Sequence, residues 1–284
     1  MQLIKPDAGA RPAFRKLLLV LLALATASAN AEQKPLWEFG LGVGALMFDD
    51  YRGSDETNFY PVPVPYLVYR GKILKADRDG LRGLLFDRRY VELNVSVNAT
   101  TPVDSDGNEA RRGMPDLHST LELGPSFEWH AWQSKDGRVK LDLRFPVRVP
   151  ITVEASPHNV GWIFSPRLNV DFLDVAGYQG WDLGVSVGPM YADRKYHDYF
   201  YSVLPRYATA ARPAYEADGG YSGSHIILAL SKRFADYWVG GFVRYDSLSG
   251  AAFEDSPLVK TRSSLFAGVG IAWMIRESKV LVEE

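Results

Sequence analysis

The 284-residue chain contains no cysteine, which excludes thiolate catalysis, Cys-ligated metal and any disulfide staple. Long apolar runs are missing too: beyond residue 31 no stretch approaches 18 consecutive apolar side chains, so helical membrane spans are not expected. There is no basic excess, since 32 Lys and Arg face 34 Asp and Glu. Without a positive field, nucleic acid is not an expected partner. The five histidines are scattered without ligand spacing, so neither a metal nor another cofactor is expected.

What is present begins with an export signal. Lys5, Arg11, Arg15 and Lys16 form a basic region, Leu17 to Ala27 an apolar core, and Ala29-Asn30-Ala31 a small-x-small cleavage site before Glu32. The apolar core is well short of the roughly 20 residues a spanning helix needs. Cleavage of residues 1–31 as a secretory signal is therefore expected. It removes four positive charges and one negative, moving the formal charge from −2 to −5. Residues 32–284 are then one barrel domain with extracellular loops and a short C-terminal periplasmic tail.

The clearest structural signal is VKLDLRFPVRVPI at 139–151. Val139, Leu141, Leu143, Phe145, Val147, Val149 and Ile151 alternate with Lys140, Asp142, Arg144 and Arg148, which is the period of a strand with one apolar and one charged face. Soluble strands usually stop near 5 or 6 residues, whereas a membrane-crossing strand needs about 9 to 11. The pattern recurs over 37–48, 90–100, 117–131, 160–172, 181–188, 222–234, 237–247 and 263–275. Shorter strands are expected at 72–77 and 81–87. The stretch 60–70 carries Pro61, Pro63 and Pro65; alternate N–H groups point the same way, so the three lost donors weaken one seam. Taken alone, that stretch fits a proline-rich linker equally well, and only its flanking strands favour the sheet.

These twelve strands define an all-β, transmembrane antiparallel β-barrel of outer-membrane type. Connections after even strands are short and those after odd strands long, apart from the link after strand 3. That parity suits periplasmic turns and extracellular loops. The longest connection, 191–221, is rich in Tyr, Arg, Asp and Gly; it reads as an interfacial girdle plus a folded loop, or as an adhesive, ligand-contacting surface.

On this reading the lumen-facing charges are Glu92, Glu122, Glu128, Lys140, Asp142, Arg144, Arg148, Arg167, Asp171, Asp182, Arg244 and Asp246. Both signs occur in similar numbers, so they can satisfy one another as cross-strand ion pairs, or line a charged passage. Pairing with a narrow or plugged lumen is the favoured reading; twelve strands fall between filled and water-filled barrels. His118, Ser126 and His130 share a face, but residues four apart on a strand lie about 13 Å apart, too far for a nucleophile to reach its base. A partner such as Ser96 would be needed, so no catalytic residue is assigned and the protein is not expected to be an enzyme.

Six segments, YRGSDE (51–56), PYLVYRG (65–71), RRGMPDL (111–117), GPMYADRKYHDYFYSV (188–203), ARPAYEADGGYSG (211–223) and FVRYDSLSGAAFEDSPLV (242–259), closely resemble the MipA/OmpV family. The resemblance implies a Gram-negative outer-membrane barrel in contact with lipid. It also implies a scaffold that brings a lytic transglycosylase together with a bifunctional penicillin-binding protein, or a surface protein of osmotic or adhesive function. It implies no catalytic residues. The chain ends in Glu284 rather than an aromatic residue, and Trp273 takes the place of the terminal-strand aromatic. A small-solute channel is the other reading of the charged lumen.

Overall fold

The period-two segments form a closed sheet in the computed structural model, which describes residues 33–77 and 80–283. The export signal read at 1–31 lies outside them. In chain order the strands are β1 Gln33–Pro35, β2 Trp37–Asp49, β3 Thr57–Arg70, β4 Leu74–Asp77, β5 Gly80–Arg88, β6 Val91–Ala99, β7 Thr120–Gln133, β8 Val139–Thr152, β9 Ile163–Phe164, β10 Arg167–Phe172, β11 Trp181–Ala192, β12 Gly220–Arg233, β13 Tyr237–Ser247, β14 Ser263–Glu277 and β15 Leu281–Glu283. Among the described residues one α-helix, α1 Arg194–Tyr201, interrupts them.

Every barrel neighbour is antiparallel and adjacent in sequence, except where β14 returns to β2. β9 and β10 form one stave broken at Ser165 and Pro166; both β8 and β11 pair with each piece. The wall therefore has twelve staves among the described residues. Closure leaves no free sheet edges where a stave has both neighbours, the condition for backbone to survive in lipid.

Alternation in the sequence becomes alternation in burial. Along β8, Asp142, Arg144, Pro146, Arg148 and Pro150 are buried, while Phe145, Val147 and Val149 are exposed. The same holds on β7, where Glu122, Ser126 and Glu128 are buried and Leu121, Phe127 and Trp129 exposed. Exposed Trp129, Trp132 and Trp273 lie near the short-turn end, and exposed Trp162, Tyr191 and Tyr245 near the other. These are two girdles flanking an apolar band, as a membrane barrel requires. Glycine on the opposite face lets strands and side chains close up: a Cβ at Gly42 would stand 1.8 Å from the Ile271 carbonyl oxygen of β14.

Loops 50–56, 100–119, 153–162, 193–219 and 248–262 emerge at one end, and the connections 71–73, 89–90, 134–138, 173–180 and 234–236 at the other. β3 is a strand, not a linker. Arg70 N–H donates to the Leu36 carbonyl toward β2 (2.8 Å), so even residues bond to β2 and the proline nitrogens face β4. That seam is weak, carrying only Tyr69↔Ala76 and Arg70↔Lys75 among the described residues.

Three features depart from the sequence reading. Leu117 and Val160, assigned to strand faces, lie instead in the loops, with Leu117 bridged to Val103. The 191–221 connection contains α1, capped by Asp193, whose carboxylate accepts from Tyr196 N–H (3.0 Å). At the short-turn end β1 pairs with β15 in a separate two-stranded sheet that joins the two ends of the described chain.

Val43 sits mid-way along β2 and is 62% exposed. Val43→Arg is expected to cost about 2–4 kcal/mol, the penalty for a charge near the bilayer midplane, and Val43→Leu almost nothing. Urea unfolding in vesicles, read by heat-modifiable gel mobility, measures the difference.

Candidate functional site

Loops rooted on different sides of the ring meet over its mouth. Tyr51, Val103, Ala110, Leu117, Tyr201, Val203, Ala217, Leu248, Ala251, Phe253 and Leu258, from four of the long loops and α1, form one buried apolar cluster. Tyr201 stacks on Phe253 with ring centroids 3.6 Å apart. A cluster with members from the β2–β3, β6–β7, β11–β12 and β13–β14 connections can exist only if those loops lean inward across the opening. The long loops are thus a folded cap.

Arginines tie the cap together because a guanidinium presents five donors to loop carbonyls that have no ladder partner. Buried Arg111 donates to Ser105 Oγ, the Phe200 carbonyl and the Pro115 carbonyl, each at 3.1 Å. Arg212 reaches the Ala110 and Arg112 carbonyls (2.9 and 3.1 Å) and the Tyr207 carbonyl (2.8 Å). Arg52 ties cap to wall, donating to the Ser222 carbonyl (2.7 Å) and pairing with Asp246 of β13 (2.9 Å). Buried His197 holds the Asp218 carbonyl at 2.6 Å and Ser222 Oγ at 3.0 Å. A carbonyl only accepts, so Nδ1 carries the proton toward Asp218.

Burial has the electrostatic signature of a protein interior. It pushes the Tyr201 phenol up to about 12, raises that of Tyr51, lowers the Arg111 guanidinium and lowers the His197 imidazole.

Below the cap the charged residues read from sequence fall into groups. Glu128 pairs with Arg144 (3.1 Å), and Asn94 Nδ2 donates to both Glu92 and Glu128 (2.8 Å each). Glu122 accepts from Asn98 (3.0 Å) and Arg148 donates to Ser96 (3.1 Å). Asp142 meets His130 at 2.9 Å. Arg244 forms a fork on Asp246 (2.7 and 2.8 Å). Asp171 stands opposite Lys140, and Arg167 opposite Arg144, in the β8–β10 register. Lys140 is exposed, and Arg167 and Asp182 are half-buried. Ser96 is engaged by Arg148, and His118 pairs with Glu154 (3.5 Å); among the described residues no hydrogen bond joins a serine side chain to the His118 or His130 ring. Among the described residues no group of three or more His, Asp or Glu is placed to hold a metal.

Sequence reasoning missed several partners. Glu38 holds both Arg70 (2.9 Å) and Arg233 (2.8 Å), and Arg82 pairs with Glu92 (3.2 Å). Strand parity could have found Glu38, which shares a face with Gly40, Gly42 and Gly44. Nothing periodic marks Arg52, Arg111 or Arg212 in their loops.

A closed twelve-stranded antiparallel sheet with an apolar exterior belt, buried paired charges and a packed loop cap defines a membrane β-barrel. The family model for MltA-interacting protein MipA matches residues 41–275, and the chain belongs to that family. Outer membrane protein Omp26La of Vibrio anguillarum is 23% identical over 211 residues, spanning 72% of this chain and 75% of the relative. Outer membrane protein OmpV of Vibrio cholerae serotype O1 is 22% identical over the same shares. The solved structure of outer membrane protein OprG from Pseudomonas aeruginosa aligns over 86% of this chain and 96% of its own, at 9% identity and a TM-score of 0.23.

His197 gives the cap a pH dependence. The unfolded imidazole titrates near 6.5 and the buried one lower. As pH falls below about 6.5, the opened cap takes up a proton that the packed cap refuses, and cap stability drops. Limited proteolysis of the 193–219 loop in the folded barrel is expected to be several-fold faster at pH 5 than at pH 7.5, and this ratio to flatten in His197→Gln.

Proposed function

We propose that the protein is a non-enzymatic outer-membrane barrel that organises the cell envelope, exported by a cleaved signal at 1–31 and embedded in outer-membrane lipid. The observation that carries this reading is the cap: four loops and a helix pack over the mouth around a common core, which suits a rigid surface better than an open pore. The twelve charges read from sequence are, on this proposal, the lumen lining. Their mutual pairing, as in Glu128–Arg144 and Arg244–Asp246, gives the lumen a structural role.

The family's description as MltA-interacting supports an MltA-type lytic transglycosylase as one partner, and the scaffold reading adds a bifunctional penicillin-binding protein as the other. Such partners work in the periplasm, and the short turns there offer little surface. The β1–β15 sheet adds to that surface, with exposed Leu281 in it and exposed Val280 next to it. We assign it as the docking platform.

The second reading, a small-solute channel, draws on a wall that carries both signs of charge. Planar-bilayer recordings separate the two: the scaffold reading expects no ohmic conductance from the intact barrel, and steady single-channel steps would establish transport. Mild-detergent purification is expected to recover a murein hydrolase or synthase with the full chain, and to lose it when residues 278–284 are deleted while gel mobility still reports a folded barrel. Recovery of neither enzyme with the full chain removes the scaffold.

A further inference from the structure

One sector of the wall is built differently from the rest. β3 pairs with β2 from Thr57 to Tyr69, but toward β4 only Tyr69 and Arg70 have strand partners among the described residues. On the far side of this breach β6 leaves its β5 partner at Ser96, three residues before its own end. β4, with four residues, is too short to fill the space between. At about 3.4 Å per residue the edge of β3 from 57 to 65, which has no strand partner toward β4 among the described residues, is on the order of 30 Å long.

An unpaired edge in hydrocarbon costs several kcal/mol for each orphaned group. Pro61, Pro63 and Pro65 aim their nitrogens into this edge and have no N–H to orphan, so the sequence lowers the cost of the opening by three donors, and only the carbonyls of these residues are left to be met there. Phe59 is 69% exposed. Tyr60, which shares its face with half-buried Val62, Val64 and Tyr66, is still 46% exposed.

From Tyr60 a line of rings leads away from the breach. Tyr60 stacks on Phe48 (5.4 Å), Phe48 meets Phe266 edge-on (5.5 Å), and Phe266 meets Phe242 (4.9 Å). These rings occupy the face on which Glu38 and Asp246 are buried, by strand parity on β2 and β13. Glycine keeps that face open: a Cβ on Gly268 would collide with Phe242 at 2.6 Å and Leu46 at 2.7 Å. Where β6, β7 and β8 carry charge inside along most of their length, β2, β3 and β14 carry mainly rings, aliphatic groups and glycine between the Glu38–Arg70 pair and the mouth.

We propose that the breach between β3 and β6 is a lateral portal, and that the Tyr60–Phe48–Phe266–Phe242 track binds a membrane-soluble aromatic or alkyl molecule that passes between barrel and bilayer sideways. The capped mouth is not its route. This goes beyond the scaffold reading and does not rest on it.

The absence of cysteine makes the test clean. Single-cysteine variants Val62→Cys (track side, at the breach), Asn169→Cys (six staves away, facing Asp142) and Val43→Cys (lipid face) are labelled with bimane and refolded into vesicles of brominated phosphatidylcholine. Val62→Cys is expected to be quenched as Val43→Cys is, with Asn169→Cys spared. Quenching of Val62→Cys no greater than that of Asn169→Cys overturns the portal. In amphipol, N-phenyl-1-naphthylamine is expected to bind saturably and to bind about tenfold more weakly to the Phe48→Ala, Phe266→Ala double variant, a change of about 1.4 kcal/mol. Outward-facing Phe127→Ala is expected to leave its affinity unchanged, and heat-modifiable mobility confirms that each variant is folded. Equal probe affinity in wild type and the double variant overturns the binding track.

Discussion

A peptide group in hydrocarbon has no water to bond, so a strand that crosses lipid must give each N–H and C=O a partner within the sheet. That constraint fixes the ring. The return of β14 to β2 runs from Phe266↔Phe48 to Glu277↔Glu38 with one irregularity at Met274–Arg276. Closure on the other side tolerates the Ser165–Pro166 break because β9 and β10 each keep partners on both flanks. Glycines on β2 and β14 then let backbone and inner side chains approach, which explains why the glycine face and the lipid face of β2 are so unlike.

The cap solves a different problem. Loop carbonyls over the mouth lack the ladder that satisfies strand carbonyls, and burying them without donors is costly. Arg111 and Arg212 answer this with planar forks that each engage several carbonyls at once; a lysine offers one point charge on a flexible stem. Once the carbonyls are bonded, Tyr201, Phe253, Leu248 and Leu258 can be buried almost completely. The polar anchors are therefore a condition for the apolar core, and Arg52 extends the same logic to the wall by holding a loop to Asp246.

The strands were legible because period two survives in a single sequence: β8 and β7 alternate so regularly that face, length and neighbours follow from the residues themselves. The charged faces were legible for the same reason, but the pairings were not. Glu38 lies on a face otherwise read as glycine, and its partners Arg70 and Arg233 come from β3 and β12, which periodicity cannot bring together. α1 was hidden because its eight residues, RKYHDYFY, make only about two turns, too short for a helical period to stand out inside a long loop; its one local mark is Asp193 at the N-cap. β1 and β15 lie at opposite ends of the described chain, so neither segment announces the other. Pro61, Pro63 and Pro65 did announce the weak seam, since their effect depends only on which way alternate nitrogens point.

That seam shows what the closure rule allows. A barrel can leave an edge unpaired in lipid only if the edge carries few polar groups or if something else meets them, and three prolines in alternate positions remove donors, though not acceptors, from one side of β3 while leaving its bonds to β2 intact. Proline placed at random would have damaged both ladders. The same three substitutions in β2 would break pairing on whichever side they faced, because β2 has a long partner on each flank. Their confinement to the one long strand beside a four-residue neighbour makes local sequence and wall topology agree, and that agreement is what distinguishes a built opening from a defect.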